Sequence, residues 1–192
     1  MKAAQIKKYT KGIKVSVNEV FIPEPNENEV IIKVMAAAVN PLDILQLTGS
    51  VRLIQDYRMP LTLGNECSGI VEKTGNNVKD FSAGDRVYTR LPINRIGAFA
   101  EYVTVYHQAL AKMPSDYDFV TAAAIPLAGL TAYQGLIEEL EVQAGKTQLI
   151  TGASGSFGQV AVSIAPEYLL YYLLVCRVKI ENKKGDRIYE DI

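Results

Sequence analysis

The feature that most restricts the fold of this chain is a strand, a glycine-rich turn and a helix in direct succession, "TQLITGASGSFGQVAVSIA" at residues 147–165. The apolar "TQLIT" predicts a buried strand, and "SFGQVAVSIA" predicts a helix with the small residues Ala161 and Ala165 on one face. Strand, turn and helix in this order are typical of the start of a parallel α/β sheet that binds a dinucleotide. Backbone N–H groups and the helix dipole hold the phosphates at the helix N-terminus of such a unit.

Three glycines set the spacing of the turn, and one position departs from the usual fingerprint. The fingerprint is G-x-G-x-x-G, and its first glycine is replaced here by Ala153. One residue must allow the tight bend, Gly155 lets the backbone approach a pyrophosphate, and Gly158 lets the helix pack against the strand. The cofactor-binding residues predicted in the turn are Gly152, Ala153, Ser154, Gly155, Ser156, Phe157 and Gly158. An ordinary strand, turn and helix without a ligand is the alternative that the spacing alone leaves open.

The continuation after the turn is incomplete. An acidic residue that reads the ribose is expected about 20 residues further on, at the end of a second strand. Glu181 is the candidate for it, Arg177 and Lys179 could instead face a 2′-phosphate, and Pro166 interrupts the helix before them. The remaining strands of a sheet of about six are absent. We therefore expect a truncated dinucleotide-binding segment with weak affinity for its cofactor.

The chain before this segment has a different pattern. Up to about residue 115, short apolar runs alternate with turn residues, which predicts a barrel or sandwich of mixed strands: "AAQI", "KVSVNEVFI", "EVIIKVMAAAV", "SGIVEKTG", "DRVYTR" and "GAFAEYVTVY". One short helix interrupts them, with Asn40 as its N-cap, Pro41 as its first residue and Gly49 as its end.

Residues 116–140 are rich in alanine and leucine and predict two helices broken at Pro126, the first capped by Ser115 or Asp116. We therefore predict two domains, 1–115 and 116–192. The last residues, strand-like "RVKI" and charged "ENKKGDR", predict a solvated hairpin or a loose tail.

Charge and composition restrict the kinds of partner that this chain is expected to bind. Twenty basic and 21 acidic residues give a net charge of −1, so no nucleic acid and no anionic membrane is expected, and a small molecule is the expected ligand. The apolar "YLLYYLLVCRV", residues 168–178, is too short to span a bilayer; we expect it to cover a sheet face and to promote self-association. Without a signal peptide the expected location is cytoplasmic, where Cys67 and Cys176 would be buried thiols.

Six motifs in order, "AAAVNPLDILQLTG", "PLTLGNECSGIVEKTG", "FSAGDRVY", "GAFAEYVTV", "AAAIPLAGLTAYQGL" and "LITGASGSFGQVAVSIA", resemble the medium-chain dehydrogenase/reductase superfamily, specifically its zinc-free quinone oxidoreductase-like branch. The resemblance covers residue 1 to about residue 165. It implies a GroES-like β-barrel domain followed by the first part of a Rossmann-type parallel sheet, with NADPH as the cofactor in the cleft between the two domains.

The resemblance also implies that no metal is bound. Asn40, Asn65 and Leu127 stand where the alcohol dehydrogenase branch has its zinc ligands, and neutral amides and an aliphatic chain do not supply a zinc site. The single histidine, His107, is expected at the surface near a strand end.

Without a metal, the chemistry implied is hydride transfer from NADPH to a quinone or an enone. Asn40 matches the active-site asparagine, whose amide could donate to the substrate oxygen or the cofactor, and Thr131 matches a threonine near the nicotinamide. Local alternatives are a helix cap for Asn40 and a hydroxyl bonded to its own helix for Thr131. Asp43, also predicted in the catalytic site, could be buried or exposed, and Leu45 replaces a tyrosine of some relatives. A second hypothesis is a catalytically inactive GroES-like fragment that acts as a binding or inert module.

Overall fold

The alternating apolar residues of the first part of the chain form two antiparallel sheets. The computed structural model describes residues 1–142, 147–164, 171–175, 177–181 and 187–191. The larger sheet has five strands in the order β7-β3-β5-β6-β8: β3 (Glu29–Ala37), β5 (Glu66–Thr74), β6 (Arg86–Arg90), β7 (Tyr102–Tyr106) and β8 (Leu110–Lys112). The smaller sheet has the order β2-β1-β4: β1 (Lys2–Ile6), β2 (Ser16–Glu19) and β4 (Leu61–Thr62).

The core of these sheets consists of the apolar residues that alternate along β3, β5, β6 and β7. Its fully buried members include Val30, Ile32, Cys67, Val71, Val87 and Val105. Burial of this continuous apolar surface is the main force that holds the sheets together. Burial also raises the pKa of the Cys67 thiol to about 12, so this thiol is an inert core residue, as the sequence predicts.

The short helix predicted from its capping residues is confirmed. It is α1 (Pro41–Thr48), with Asn40 at the N-cap, Pro41 in the first turn and Gly49 as the C-cap at φ 76°. Glycine populates this left-handed conformation without a steric penalty, and the N–H of Gly49 satisfies the last carbonyls of the helix.

Two helices follow the sheets and are separated before Pro126, as predicted. They are α2 (Phe119–Ala123) and α3 (Pro126–Tyr133), which continues as a π-helical turn, Gln134–Glu139. The predicted cap was wrong: Asp118, not Ser115 or Asp116, accepts a hydrogen bond from the backbone N–H of Thr121 at 2.7 Å. The helix starts later than the first acidic residue because only a residue directly before the first turn reaches the free N–H groups.

The structure divides into two compact units, Met1–Leu127 and Ala128–Ile192. This division lies later than the domain boundary predicted at residue 115 because α2 packs against β3, β5 and β6. In the second unit, β9 (Thr147–Thr151) leads through a turn into α4 (Ser156–Ile164), and β10 (Tyr171–Val175) pairs parallel with β9. A mixed β domain followed by the first part of a parallel sheet is the fold class predicted from the sequence, and it is confirmed.

The C-terminal strands differ in part from expectation. Residues 171–175 form a strand that pairs with β9 in the same sheet. The prediction that these residues cover the face of the sheet is therefore wrong. β11 (Arg177–Glu181) and β12 (Arg187–Asp191) form the predicted hairpin. Glu181 ends β11 instead of the second parallel strand, where a ribose-reading residue was expected.

Cys176 and Pro166 lie outside the described residues. No helix in the described ranges has the length and apolar character needed to cross a membrane.

Candidate active site

Two buried carboxylates hold the residue at the start of α1. Asp43, in the first turn, accepts a hydrogen bond from the backbone N–H of Asn40 on Oδ2 at 2.7 Å. Glu66, the first residue of β5, accepts one from the side-chain Nδ2 of the same asparagine on Oε1 at 2.7 Å. Asn40 is therefore fixed at its backbone by one carboxylate and at its side chain by another.

Glu66 also contacts Leu127, which follows the break between α2 and α3. Its Oε2 accepts a hydrogen bond from the backbone N–H of Leu127, in the first turn of α3, at 2.6 Å. The residue is 1% exposed, so both of its oxygens rely on protein donors. Glu66 therefore joins Asn40, at the start of α1, to Leu127 through one side chain.

Asp43 also belongs to a network of buried side-chain amides within the first unit. Asn65 donates from Nδ2 to Asp43 Oδ1 at 2.7 Å and to Gln46 Oε1 at 2.8 Å. Gln46 donates from Nε2 to Asn65 Oδ1 at 3.1 Å and to the Tyr57 hydroxyl at 3.1 Å. Asp43, Gln46 and Asn65 are all nearly inaccessible to solvent, and a buried network with satisfied partners fixes the geometry of its members.

The electrostatics of the site come mainly from desolvation. Burial raises the pKa of Glu66 above its ordinary value, against hydrogen bonds from Leu127 and Asn40 that lower it. Burial likewise raises the pKa of Asp43, against hydrogen bonds from Asn40, Asn65 and Gly64. Each carboxylate is thus a strong hydrogen-bond acceptor in a poorly solvated place, which favours rigid contacts over free titration.

The geometry changes the role expected for Asn40. Its Nδ2 is used by Glu66, and its second, longer contact is to the carbonyl of Ala38 at 3.5 Å. The side chain of Asn40 also faces the backbone N–H of Asp43 in the capping box at the start of α1. The asparagine is therefore a helix cap, as one of the two alternatives from the sequence has it, and its Nδ2 group is bonded to Glu66.

The glycine turn has the shape that its spacing predicts. Gly152 adopts φ +66°, which makes it the residue of the tight bend. A Cβ on Gly158 would lie 2.3 Å from the carbonyl oxygen of Gly152 and 2.4 Å from Cα of Ala153. A Cβ on Gly155 would meet only the Gly152 oxygen, at 3.3 Å, so the outer side of the turn is open. Of the other predicted residues, Ala153 is buried, Phe157 is half exposed, and Ser154 and Ser156 are exposed.

We expect Gly158→Ala to destabilise the second unit by about 1–3 kcal/mol, because the new methyl group collides with the backbone of the turn. Gly155→Ala is the matched control and should change stability by less than about 1 kcal/mol. Hydrogen exchange of the α4 and β9 amides measures both effects. Equal protection in the two variants would contradict the packing role assigned to Gly158.

Known proteins match most of this chain in sequence and in fold. The alcohol dehydrogenase GroES-like domain matches residues 26–115. Quinone oxidoreductase of Homo sapiens is 36% identical over 156 residues, which are 81% of this chain and 46% of that protein. The NADPH-dependent alkenal/one oxidoreductase of Arabidopsis thaliana is 36% identical over 154 residues, which are 77% of this chain and 39% of that protein. Escherichia coli quinone oxidoreductase complexed with NADPH superposes with a TM-score of 0.79 at 26% identity, covering 96% of this chain and 54% of that structure.

The chain belongs to the medium-chain dehydrogenase/reductase superfamily, in its quinone oxidoreductase-like branch. It spans about half the length of the curated relatives that it matches. The family resemblance inferred from the six motifs is thereby confirmed. The matched domain contains Asn40, Asp43, Gln46, Asn65 and Glu66.

Positions 40, 65 and 127 are those at which the resemblance places the zinc ligands of the alcohol dehydrogenase branch. The structure brings all three to the neighbourhood of Glu66, since Asn40 and Leu127 donate to this carboxylate and Asn65 precedes it. Two neutral amides and an aliphatic side chain are poor zinc donors. Among the residues with described positions, no group of three or more His, Cys, Asp or Glu side chains could hold a metal ion.

We expect purified protein to contain no stoichiometric zinc, because both amides are already hydrogen-bonded to carboxylates. Elemental analysis by mass spectrometry after dialysis against buffer measures the content. About one zinc per chain that resists a chelator would contradict this expectation.

The structure also gives the positions of Thr131, Asp43 and His107. Thr131 is exposed on α3, in the second unit, and its role at a nicotinamide stays a prediction. Asp43, left open between burial and exposure, is buried. His107 is half-buried at a 3₁₀ turn after β7, with Nδ1 at 3.8 Å from Asp80 Oδ2.

Glu66 and Gln46 are site residues that the sequence reasoning missed. A charged residue directly before the apolar run "CSGIV" was a signal for Glu66, because an ion at a buried strand position requires partners. Gln46 stands three residues after Asp43 on the same face of α1, which indicates a shared polar neighbourhood.

Proposed function

We propose that this protein is an NADPH-dependent reductase, zinc-free, that transfers hydride to a quinone or another conjugated carbonyl compound. The observation that carries the proposal is the network at Glu66, where neutral amides occupy the metal-ligand positions of the superfamily and are held by carboxylates. The family membership and the NADPH complex of the Escherichia coli relative support it. A soluble small-molecule substrate and a cytoplasmic location belong to the same proposal.

The glycine turn fits the pyrophosphate of NADPH. Gly152 makes the bend, Gly158 allows close packing, and the open side of Gly155 leaves room for a phosphate beside the backbone. The N-terminus of α4 adds N–H donors and the positive end of the helix dipole. NADPH, when bound, supplies the hydride, and this chain supplies binding and orientation.

Asn40 is the residue that we assign to the reacting end of the site. Glu66 and Asp43 hold its amide and its backbone, so its side chain has one orientation before any ligand arrives. The weak contact to Ala38 leaves one amide N–H that can donate to a carbonyl oxygen of the substrate or the cofactor. Positioning of this type contributes to catalysis by removing the need for reorganisation.

A second candidate function is a binding or inert module of the GroES-like type without catalysis. The first unit has its own core and a satisfied polar network, which are properties that an independent module needs.

One experiment separates the two functions. The chain is titrated with NADPH by calorimetry, and oxidation of NADPH is followed with 1,4-benzoquinone or methyl vinyl ketone as acceptor. Gly155→Asp places a negative charge where the phosphates would lie, beside the carbonyl oxygen of Gly152, and should weaken binding at least about tenfold. Gly12→Asp makes the same charge change at an open position in the first unit and is the control.

The outcomes decide between the candidates. Binding and turnover that Gly155→Asp abolishes and Gly12→Asp retains would establish the reductase. A folded chain without binding or turnover would favour the module and would agree with the weak affinity expected from the sequence. Binding that both variants retain would show that the glycine turn does not hold the cofactor.

A further inference from the structure

Arg90 lies next to the carboxylate that holds Asn40. It is the last residue of β6 and stands directly opposite Glu66 in the antiparallel pairing of β5 with β6. The backbone N–H of Leu91 donates to the carbonyl oxygen of Asn65 at 2.7 Å, so the pair 65/91 is hydrogen-bonded and the adjacent pair 66/90 is not. Such a pair has Cα atoms only about 4.5 Å apart and side chains on the same face of the sheet. The side chain of Arg90 therefore lies on the face from which Glu66 contacts Asn40.

The positive charge of Arg90 acts on two groups of the site. Burial is the largest influence on the pKa of Glu66 and raises it, whereas the charge of Arg90 acts in the opposite direction. Burial also raises the pKa of the Tyr57 hydroxyl, and Arg90 again counteracts the effect. Tyr57 is bonded to Gln46, a member of the amide network at Asp43. The guanidinium is thus close to the acidic and the amide groups of the site.

Arg90 differs from Arg95 and Arg86 in having no hydrogen-bond acceptor. Within the described part of the chain, no residue accepts a hydrogen bond from its guanidinium, although the residue is half-buried. Arg95, also half-buried, donates to Glu29 and Thr104, and the exposed Arg86 donates to two backbone carbonyl oxygens. A guanidinium has five N–H donors, and partial burial without an acceptor is unfavourable. The position favours a ligand that brings an acceptor oxygen.

We propose that Arg90 donates to the carbonyl oxygen of the substrate and stabilises the negative charge that forms there during reduction. The proposal rests on the reductase function proposed above and adds the residue that polarises the carbonyl group. Where no zinc ion polarises this oxygen, a positive side chain can do so. Arg90 and Asn40 both lie beside Glu66, so an oxygen placed there is near an amide N–H and a guanidinium.

The local charges favour a substrate that is neutral when it binds. A substrate with a permanent negative charge would face two buried carboxylates, Glu66 and Asp43, against the one guanidinium of Arg90. A quinone or an enone has no net charge, so this repulsion is small before the reaction. The attraction to Arg90 then grows as the oxygen becomes negative, and an interaction that is stronger in the transition state raises kcat.

The electrons of the reaction end on the oxygen that Arg90 would bind. An enone takes the hydride at its β-carbon, where a new C–H bond forms as a C–H bond of NADPH breaks. The C=C electron pair of the enone moves to the bond beside the carbonyl carbon, and the C=O pair moves onto the oxygen. The enone is reduced to an enolate and NADPH is oxidised to NADP⁺. A proton from water at the α-carbon then gives the saturated ketone.

The first test needs neither NADPH nor turnover. 4-(Dimethylamino)cinnamaldehyde is a neutral conjugated aldehyde whose absorption band moves to longer wavelength when a positive group polarises its carbonyl oxygen. Titration of the whole chain with this aldehyde should show such a red shift, and Arg90→Met should lose most of it. Arg86→Met removes the same charge from the same face of β6, about 13 Å away, and should keep the shift. Circular dichroism of both variants verifies the fold.

Two further measurements separate a role in the reaction from a role in stability. Arg90→Gln keeps a polar group without the charge and replaces Arg90→Met if the latter does not fold; its red shift should also be smaller than that of the wild type. With NADPH and methyl vinyl ketone, Arg90→Met should lower kcat at least about tenfold and should change KM much less, because the interaction is strongest in the transition state.

The outcomes distinguish this proposal from the reductase function itself. A wild-type chain that does not bind the aldehyde, or binds it without a red shift, overturns the role of Arg90, as does a folded variant without the arginine that keeps the full shift. Turnover that Arg90→Met leaves unchanged also overturns this role, but the reductase function stands. A red shift that depends on Arg90 in a chain without turnover supports the carbonyl contact and contradicts the reductase function.

Discussion

We expect Arg95→Met to lower the free energy of unfolding of the first unit by about 3–5 kcal/mol at pH 7. Arg95 donates from Nη1 and Nη2 to the two carboxylate oxygens of Glu29, and from Nη2 to Thr104 Oγ1 at 2.8 Å. Glu29 is fully buried at the start of β3. Removing the guanidinium leaves a buried carboxylate without its counter-charge, which is among the most costly changes in a protein interior.

The cost should depend on pH, with a sign that follows from the pKa of Glu29. Burial pushes this pKa upward, but hydrogen bonds from Asn26 and the contacts with Arg95 outweigh it and hold the pKa below its ordinary value of 4.5. The pair therefore contributes stability that is present above pH 4.5 and is lost as pH falls through the lowered pKa. The difference between wild type and Arg95→Met should be large at pH 7 and should shrink in acid.

Urea denaturation at pH 7 and in acid, followed by far-ultraviolet circular dichroism, measures this difference. The double variant Glu29→Gln with Arg95→Met is the control, because it removes the charge together with its partner and should be more stable than Arg95→Met alone. A cost of Arg95→Met that is the same at both pH values would show that lost packing, not the unpaired carboxylate, explains the effect.

The parts of the fold that the sequence predicted well are those with local signals. Asn40, Pro41 and Gly49 determine both ends of α1 within ten residues, and capping depends on backbone groups of adjacent turns. The strands of the large sheet carry long alternating or continuous apolar runs. Two short strands, β4 and β8, were not predicted, because two or three residues give no periodicity.

The candidate site was predicted only in part because its contacts are distant in sequence. Glu66 meets Asn40 from 26 residues away and Leu127 from 61 residues away. Composition and spacing name Asn40 and Asp43 as candidates, but they do not show that a second carboxylate, Glu66, accepts a hydrogen bond from the asparagine amide. The direction of that amide depends on the position of Glu66 on β5, which is next to α1 and Leu127 only in the folded chain.

In the second unit, a turn with local contacts was predicted better than the strand that follows it. The close packing predicted at Gly158 depends on contacts within seven residues and is found, whereas the tight bend falls on Gly152 and not on Ala153, the position of the first fingerprint glycine. The apolar run after it was assigned to a sheet cover, yet residues 171–175 form a parallel strand. A short apolar run is equally compatible with both, and only the partner strand decides.

The second large effect is expected at Glu66. Glu66→Leu should lower the free energy of unfolding by about 3–5 kcal/mol, because the amide of Asn40 and the N–H of Leu127 both lose their acceptor in a buried place. Glu66→Gln keeps one acceptor oxygen but turns an NH₂ group toward the other donor, so its cost should be about 1–3 kcal/mol. Glu72, exposed on the same strand, gives the matched controls Glu72→Gln and Glu72→Leu, each within about 0.5 kcal/mol of wild type.

A double-mutant cycle connects this effect with the proposed function. If Glu66 orients the Asn40 amide, then Asn40→Ala and Glu66→Leu should show a coupling energy of about 1 kcal/mol or more, whereas Asn40→Ala and Glu72→Leu should be additive. Urea denaturation of the single and double variants supplies the energies. Additivity in both cycles would mean that Glu66 stabilises the fold only through Leu127. The amide at position 40 would then have no fixed orientation before a ligand binds, and its assignment as a preorganised group of the site would fail.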